Sequence, residues 1–114
     1  MPYIKTRTTV GIDKNKEISI KTKLGKAIEA FPGKTENWLM VDFEDNCRIY
    51  FRGEDSEASA YVEVKLLGKG NESSFDKMTA LVCDILNDEL SIPKDRIYVK
   101  YEEVEHWGWN GSNF

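Results

Sequence analysis

Tyr61-Val62-Glu63-Val64-Lys65-Leu66-Leu67 is the stretch whose reading decides the fold. Val62, Val64 and Leu66 alternate with Glu63 and Lys65, the period of two expected of a strand buried on one side. A loop, Gly68-Lys69-Gly70-Asn71, follows it, and then a helical pattern with Phe75, Met78, Leu81, Val82, Ile85 and Leu86 on one side. Ser73 with Asp76 resembles a capping box that opens this helix. Pro93 closes the segment, and Arg96-Ile97-Tyr98-Val99-Lys100-Tyr101 predicts another strand.

The same succession occurs 58 positions earlier, since Tyr3 falls on Tyr61 and Leu39 on Ile97. Tyr3 to Val10 alternates Ile4, Thr6, Thr8 and Val10 against Tyr3, Lys5, Arg7 and Thr9. Asp13 or Asn15 can cap a helix carrying Ile20, Leu24, Ala27, Ile28 and Phe31 on one stripe, slightly weakened by Gly25. Pro32-Gly33 stops it, and Trp38 to Phe43 predicts a largely buried strand. Arg48 to Arg52 predicts a shorter strand in a hairpin with that one. Two right-handed β-α-β units, about residues 2–57 and 60–114, are therefore expected within one domain, 1–114. The fold class is α/β (α+β): a four-stranded mixed sheet with both helices on one face. The other face, with Tyr3, Tyr61 and Tyr98, lacks a cover, and self-association is the expected one.

Composition narrows the function. Hydrophobic residues make up 40% and charged residues 32%, as in an ordinary folded protein. A net charge of −4 without clustered Lys and Arg excludes an extended nucleic-acid surface. Cys47 and Cys83 stand far apart with no companion histidines, which predicts two reduced thiols and neither a zinc site nor a disulfide. Gly68-Lys69-Gly70 lacks the spacing of a phosphate loop. His106 is expected at the surface, and the sequons at Asn71 and Asn110 are chance matches. No signal-peptide pattern or membrane-length apolar run occurs, so a cytoplasmic protein without membrane partners is expected.

The residue with most chemical promise is Pro2. Proline at the second position permits removal of the initiator methionine, which leaves a secondary amine at the head of a strand. Such an amine is a base at neutral pH only if its pKa is lowered, by burial or by a neighbouring cation.

The whole chain resembles the macrophage migration inhibitory factor family of the tautomerase superfamily. The resemblance is carried by Met1-Pro2, Gly33-Lys34, Leu67-Gly68-Lys69, Asp95-Arg96-Ile97-Tyr98-Val99 and Trp107-Gly108-Trp109-Asn110-Gly111-Ser112-Asn113-Phe114. It implies a homotrimer with sites at subunit interfaces, no cofactor and no metal. It further implies keto–enol tautomerisation of phenylpyruvate-like acids or dopachrome analogues. Pro2 is then the base, and Lys34 keeps it neutral and binds the carboxylate of a small aromatic α-keto acid. Leu67 lines the wall, Trp38, Trp109 and Phe114 supply aromatic surfaces, and Tyr98 comes from the neighbouring subunit. Lys100 departs from the family's asparagine and leaves substrate preference open. Ser59-Ala60-Tyr61-Val62 replaces the CxxC of some relatives, so thiol–disulfide activity is not expected. The alternative implied by the resemblance is a cytokine-like interaction protein with a vestigial pocket, for which leaderless secretion is a route. A sibling reaction using the same base, decarboxylation or hydration of an unsaturated acid, is the third.

Overall fold

The computed structural model describes residues 1–114. Four strands, β1 (Pro2–Thr8), β2 (Met40–Glu44), β3 (Ala60–Leu67) and β4 (Ile97–Val104), form one sheet in the order β2-β1-β3-β4. Strand β1 runs parallel to β2, β3 runs parallel to β4, and β1 pairs antiparallel with β3 at the centre. The two helices are α1 (Lys14–Ala27) and α2 (Glu72–Leu90). The 58-residue offset holds in the hydrogen-bond register as well: Tyr3 lies opposite Met40, and Tyr61 lies opposite Tyr98. The expected tandem β-α-β repeat and mixed sheet are both present.

Alternation explains which sheet face is covered. Pro2, Ile4, Thr6 and Thr8 of β1, with Ala60, Val62, Val64 and Leu66 of β3, are all buried. They pack against Ile20, Leu24 and Ile28 from the first repeat and Met78, Val82 and Leu86 from the second. Each fully buried aliphatic side chain here contributes roughly 1.5–3 kcal/mol against the chain entropy of folding. Thr8 reconciles its hydroxyl with burial by donating to the Ser59 carbonyl at 2.9 Å.

Helix ends follow local chemistry, with one correction. Asp13 caps α1 by accepting from the Lys16 amide at 2.8 Å. At α2 the cap is Asn71, which accepts from the Ser74 amide, and Ser73 donates its hydroxyl to Asn71 rather than forming a box with Asp76. Asn71 sits one residue outside the first turn, where its side-chain oxygen meets the free Ser74 amide directly. Gly25 is buried, and the Glu36 carboxylate lies where a β-carbon would stand, so this glycine admits a close approach.

The connections differ from expectation in three places. Trp38 belongs to a short 3-10 turn, Glu36–Trp38, and the second strand begins only at Met40. Strand β4 runs on to Val104, beyond Tyr101. Arg48 to Arg52 forms no hairpin strand: its only pairing is an isolated bridge from Phe51 to Glu54. Arg52 and Gly53 between them adopt positive φ, which closes a tight turn. The Phe51 and Glu54 carbonyls are then gathered by the buried Arg96, at 3.5 and 3.1 Å.

The open sheet face is ionic rather than bare. Lys5 and Arg7 approach Glu44, Glu63 approaches Lys65, and Lys100 pairs with Glu102 at 3.0 Å. Tyr3 donates its hydroxyl to Asp42 at 2.6 Å. Exposed apolar groups collect instead at the two ends of the sheet. Trp38, Met40, Trp109 and Phe114 stand at the Pro2 end, and Tyr50 and Tyr98 at the other.

Candidate functional site

Pro2 begins β1, opposite Leu66 of β3, and is buried on the helix side of the sheet. The strand end is held by the Leu67 amide, which donates to the Met1 carbonyl at 3.1 Å. Lys34, half-buried after the turn that follows Phe31, donates its ammonium to the Leu67 carbonyl at 2.9 Å. Leu67 therefore ties both the strand end and the lysine to one peptide unit.

The charge at this corner is strained. The Met1 amine is held below the usual range of an α-amino group, first by burial, then by the nearby Lys34 charge and a hydrogen bond with Lys34. Both effects destabilise a second cation at this point of the chain. Tyr3, one residue inward, is pushed up to about 12, because its hydroxyl donates to Asp42 and is partly buried beside that carboxylate. It stays a neutral phenol throughout the physiological range.

A cavity of about 360 Å³ opens beside Pro2 on the other side of the strand end. Met1, Pro2, Tyr3, Trp38 and Trp109 line it, together with Met40 and Lys65. Its aromatic wall is built by the C-terminal segment, where β5 (Gly108–Trp109) and β6 (Ser112–Asn113) form a small antiparallel ribbon. Asn110 and Gly111, both at positive φ, make its two-residue turn. Trp109 meets Trp38 edge-on at 5.0 Å between centroids and stacks on Phe114 at 6.0 Å. Phe114 is thereby a backing for the wall, its amide donating to the Trp107 carbonyl at 3.1 Å.

The structure thus gathers Pro2, Lys34, Leu67, Trp38, Trp109 and Phe114 at one end of the sheet. Tyr98 is not among them. It lies opposite Tyr61, five residues along β3 from Leu66, a separation of about 17 Å at strand rise. It is 63% exposed and packs edge-on against Phe51 at 5.2 Å. Lys100 shares its face of β4, where Glu102 engages its ammonium. His106 is exposed, both cysteines are free, and no helix is long and apolar enough to cross a membrane. Sequence reasoning missed Tyr3, Met40, Lys65 and Trp107 as lining residues. A tryptophan beside Gly108-Trp109 was a usable signal for the last, but strand register decides the others.

Comparison with known proteins covers the full length of the chain. The model of the macrophage migration inhibitory factor family matches residues 1–114. The chain belongs to the macrophage migration inhibitory factor family. Crystal structures of family proteins share its fold. That of Leishmania major MIF2 superposes with a TM-score of 0.92 at 34% identity, covering 100% of this chain and 97% of that one. A homologue from Prochlorococcus marinus gives 0.82 at 32% identity, covering 98% of each chain. The macrophage migration inhibitory factor of Xenopus laevis is 28% identical, over 100% of this chain and 99% of its own length. Members of the family self-associate, which agrees with a sheet whose two edge strands, β2 and β4, are both unpaired in one copy.

Proposed function

We propose that this family member is a cofactor-independent keto–enol tautomerase of aromatic α-keto acids, with the Pro2 amine as its base once Met1 is removed. The observation that carries the reading is the geometry of the strand end: Pro2 heads β1 opposite Leu66, Lys34 donates to the adjoining Leu67 carbonyl at 2.9 Å, and Pro2 lines a cavity with Trp38 and Trp109. The Met1 amine, one residue before Pro2, is lowered by burial and by the Lys34 charge, and the same two causes act on the ring nitrogen once it is the terminus. A neutral secondary amine then takes the proton from the carbon next to the ketone. The C–H electron pair becomes the enol double bond, and the carbonyl oxygen receives a proton from solvent or from the proline ammonium. Lys34 attracts the substrate carboxylate and disfavours protonation of Pro2, while Trp38 and Trp109 flank a flat aromatic group.

The working unit in this reading is a homotrimer. The aromatic cluster at the Pro2 end and the Tyr98–Phe51 pair at the opposite end differ in shape, so contact between copies runs head to tail and closes into a ring. Tyr98 of a second copy then completes the wall that its own chain cannot reach.

The test is enol–ketone interconversion of phenylpyruvate by protein whose intact mass shows loss of Met1. Pro2→Gly is expected to lower kcat/KM at least about a hundredfold, the usual contribution of a positioned base. Equal rates for Pro2→Gly and the parent protein, or full activity in protein that keeps Met1, refute the proposal.

A further inference from the structure

Lys34 is not the only cation at the Pro2 end. Lys65 lies directly across the antiparallel pair from Tyr3, next to the Pro2–Leu66 position. Its side chain lines the same cavity of about 360 Å³ as Pro2, Trp38 and Trp109, and no aspartate or glutamate lines that cavity. Lys34 does not line it and stands instead at an adjoining depression with Leu66, Leu67 and Lys69. The strand end that carries Pro2 is thus flanked by cations in two separate recesses.

Lys65 also has capacity to spare. Glu63 is the one carboxylate within ion-pair distance, at 3.7 Å, the outer range of such a pair; Glu102, across the β3–β4 register, is engaged by Lys100 at 3.0 Å, and the Lys65 side chain is 35% exposed. Its ammonium stands 5.8 Å from the centre of the Tyr3 ring, which Asp42 holds in place through the phenol hydroxyl. An ammonium so placed has hydrogens free for an anion that enters the cavity, and the Tyr3 face keeps it from folding away.

We infer that Lys65 is a specificity-determining residue that selects substrates carrying a second anionic group, with 2-oxo dicarboxylates as the class it fits. The inference rests on the reading of the Pro2 end as a substrate pocket, and it adds a second anion subsite. Lys34 is the cation for the first carboxylate, and Lys65, in the cavity that Pro2 itself lines, is the cation for the second. A monocarboxylate satisfies only one of the two.

Two measurements on the full-length protein test it. In the first, KM and kcat are compared for oxaloacetate and phenylpyruvate in the parent protein, Lys65→Met and Lys65→Arg. Lys65→Met is expected to raise KM for oxaloacetate about tenfold more than KM for phenylpyruvate, the scale of one charge-assisted hydrogen bond, and Lys65→Arg to restore most of the preference. In the second, quenching of tryptophan fluorescence reads binding of succinate and butyrate, which do not react. Succinate is expected to bind the parent more tightly, and Lys65→Gln to remove that difference. Equal effects of Lys65→Met on both keto acids, or no preference for succinate in the parent, overturn the inference. If Pro2→Gly keeps full activity while the succinate preference depends on Lys65, the base assignment falls and the subsite stands.

Discussion

Replacing Lys34 by glutamine, in protein lacking Met1, is expected to move the rising limb of the pH–rate profile to higher pH by about one to two units. The direction follows from the sign of the interaction. The Met1 amine, one residue before Pro2, sits below its ordinary range through burial and through the Lys34 charge, and an amine at Pro2 faces the same cation. A lowered pKa means the amine is neutral, and active, from lower pH upward. Removing the cation raises the pKa, so the neutral fraction appears only at higher pH. Magnitude follows from distance. Lys34 donates to the Leu67 carbonyl at 2.9 Å, and the Leu67 amide holds the Met1 carbonyl at 3.1 Å, so the charge stands one peptide unit from the strand end. Two charges at about 4 Å repel by about 1 kcal/mol in water and about 4 kcal/mol at the effective dielectric of a protein surface. The half-buried corner lies between these limits, at about 1.4–2.7 kcal/mol, and each pKa unit corresponds to about 1.36 kcal/mol. Burial is untouched by the substitution, so the limb does not return to the value of a free amine.

The assay is kcat/KM for phenylpyruvate against pH, since that quantity reports ionisation of the free enzyme. Loss of carboxylate binding lowers the plateau of the profile, whereas loss of the electrostatic effect moves its limb, and the two are separately read. A second arm uses protein that retains Met1, in which NMR titration of the terminal amine is expected to show the same upward displacement on Lys34→Gln. A limb that stays within about 0.3 units of the parent, together with an unmoved Met1 amine, refutes the electrostatic role of Lys34.

Three further outcomes concern the scaffold. Glu89 is held down to about 2 by hydrogen bonds from Lys23, Ser19 and Lys16, which join α1 to α2. Its stabilising contribution is complete above the ordinary glutamate range near 4.5 and is lost as pH falls toward 2, so Glu89→Gln is expected to flatten the acid limb of thermal stability measured from pH 5 to 2. Arg96 is 6% exposed and donates to Ala58, Ser59, Phe51 and Glu54. Arg96→Met is expected to cost about 3 kcal/mol in urea unfolding and to loosen the turn beneath Tyr98, because several buried acceptors lose their donor at once. Ser91 ends α2 in the left-handed region, with φ 55 and ψ 34. Ser91→Gly is expected to raise stability by up to about 1 kcal/mol, seen as a higher melting temperature with unchanged activity.

Much of the fold was legible because burial writes itself into sequence period. Val62, Val64 and Leu66 had to share a face, and the offset of 58 that aligns them with the first repeat reappears as the pairing register. The misread segments are those where local pattern and tertiary demand disagree. Ile49-Tyr50-Phe51 has strand composition, yet its Phe51 carbonyl serves Arg96 from a different part of the chain. Ser73 and Asp76 have box spacing, yet Asn71 was nearer to the free amides.

For the site, the sequence by itself determined the duplicated β-α-β order, the position of Pro2 at the head of the first strand, and a cation following the first helix. Those follow from alternation, helix spacing and turn residues, all of which act over a few neighbours. Only the tertiary structure decided that Leu67 joins Lys34 to the strand end, and that the Trp109 ribbon folds back on Trp38. It also decided that Lys65 faces the cavity while Tyr98 points away from it at the far end. Antiparallel register and loop closure set these relations between residues distant in the chain, and neither leaves a periodic trace in the sequence from which it could be read.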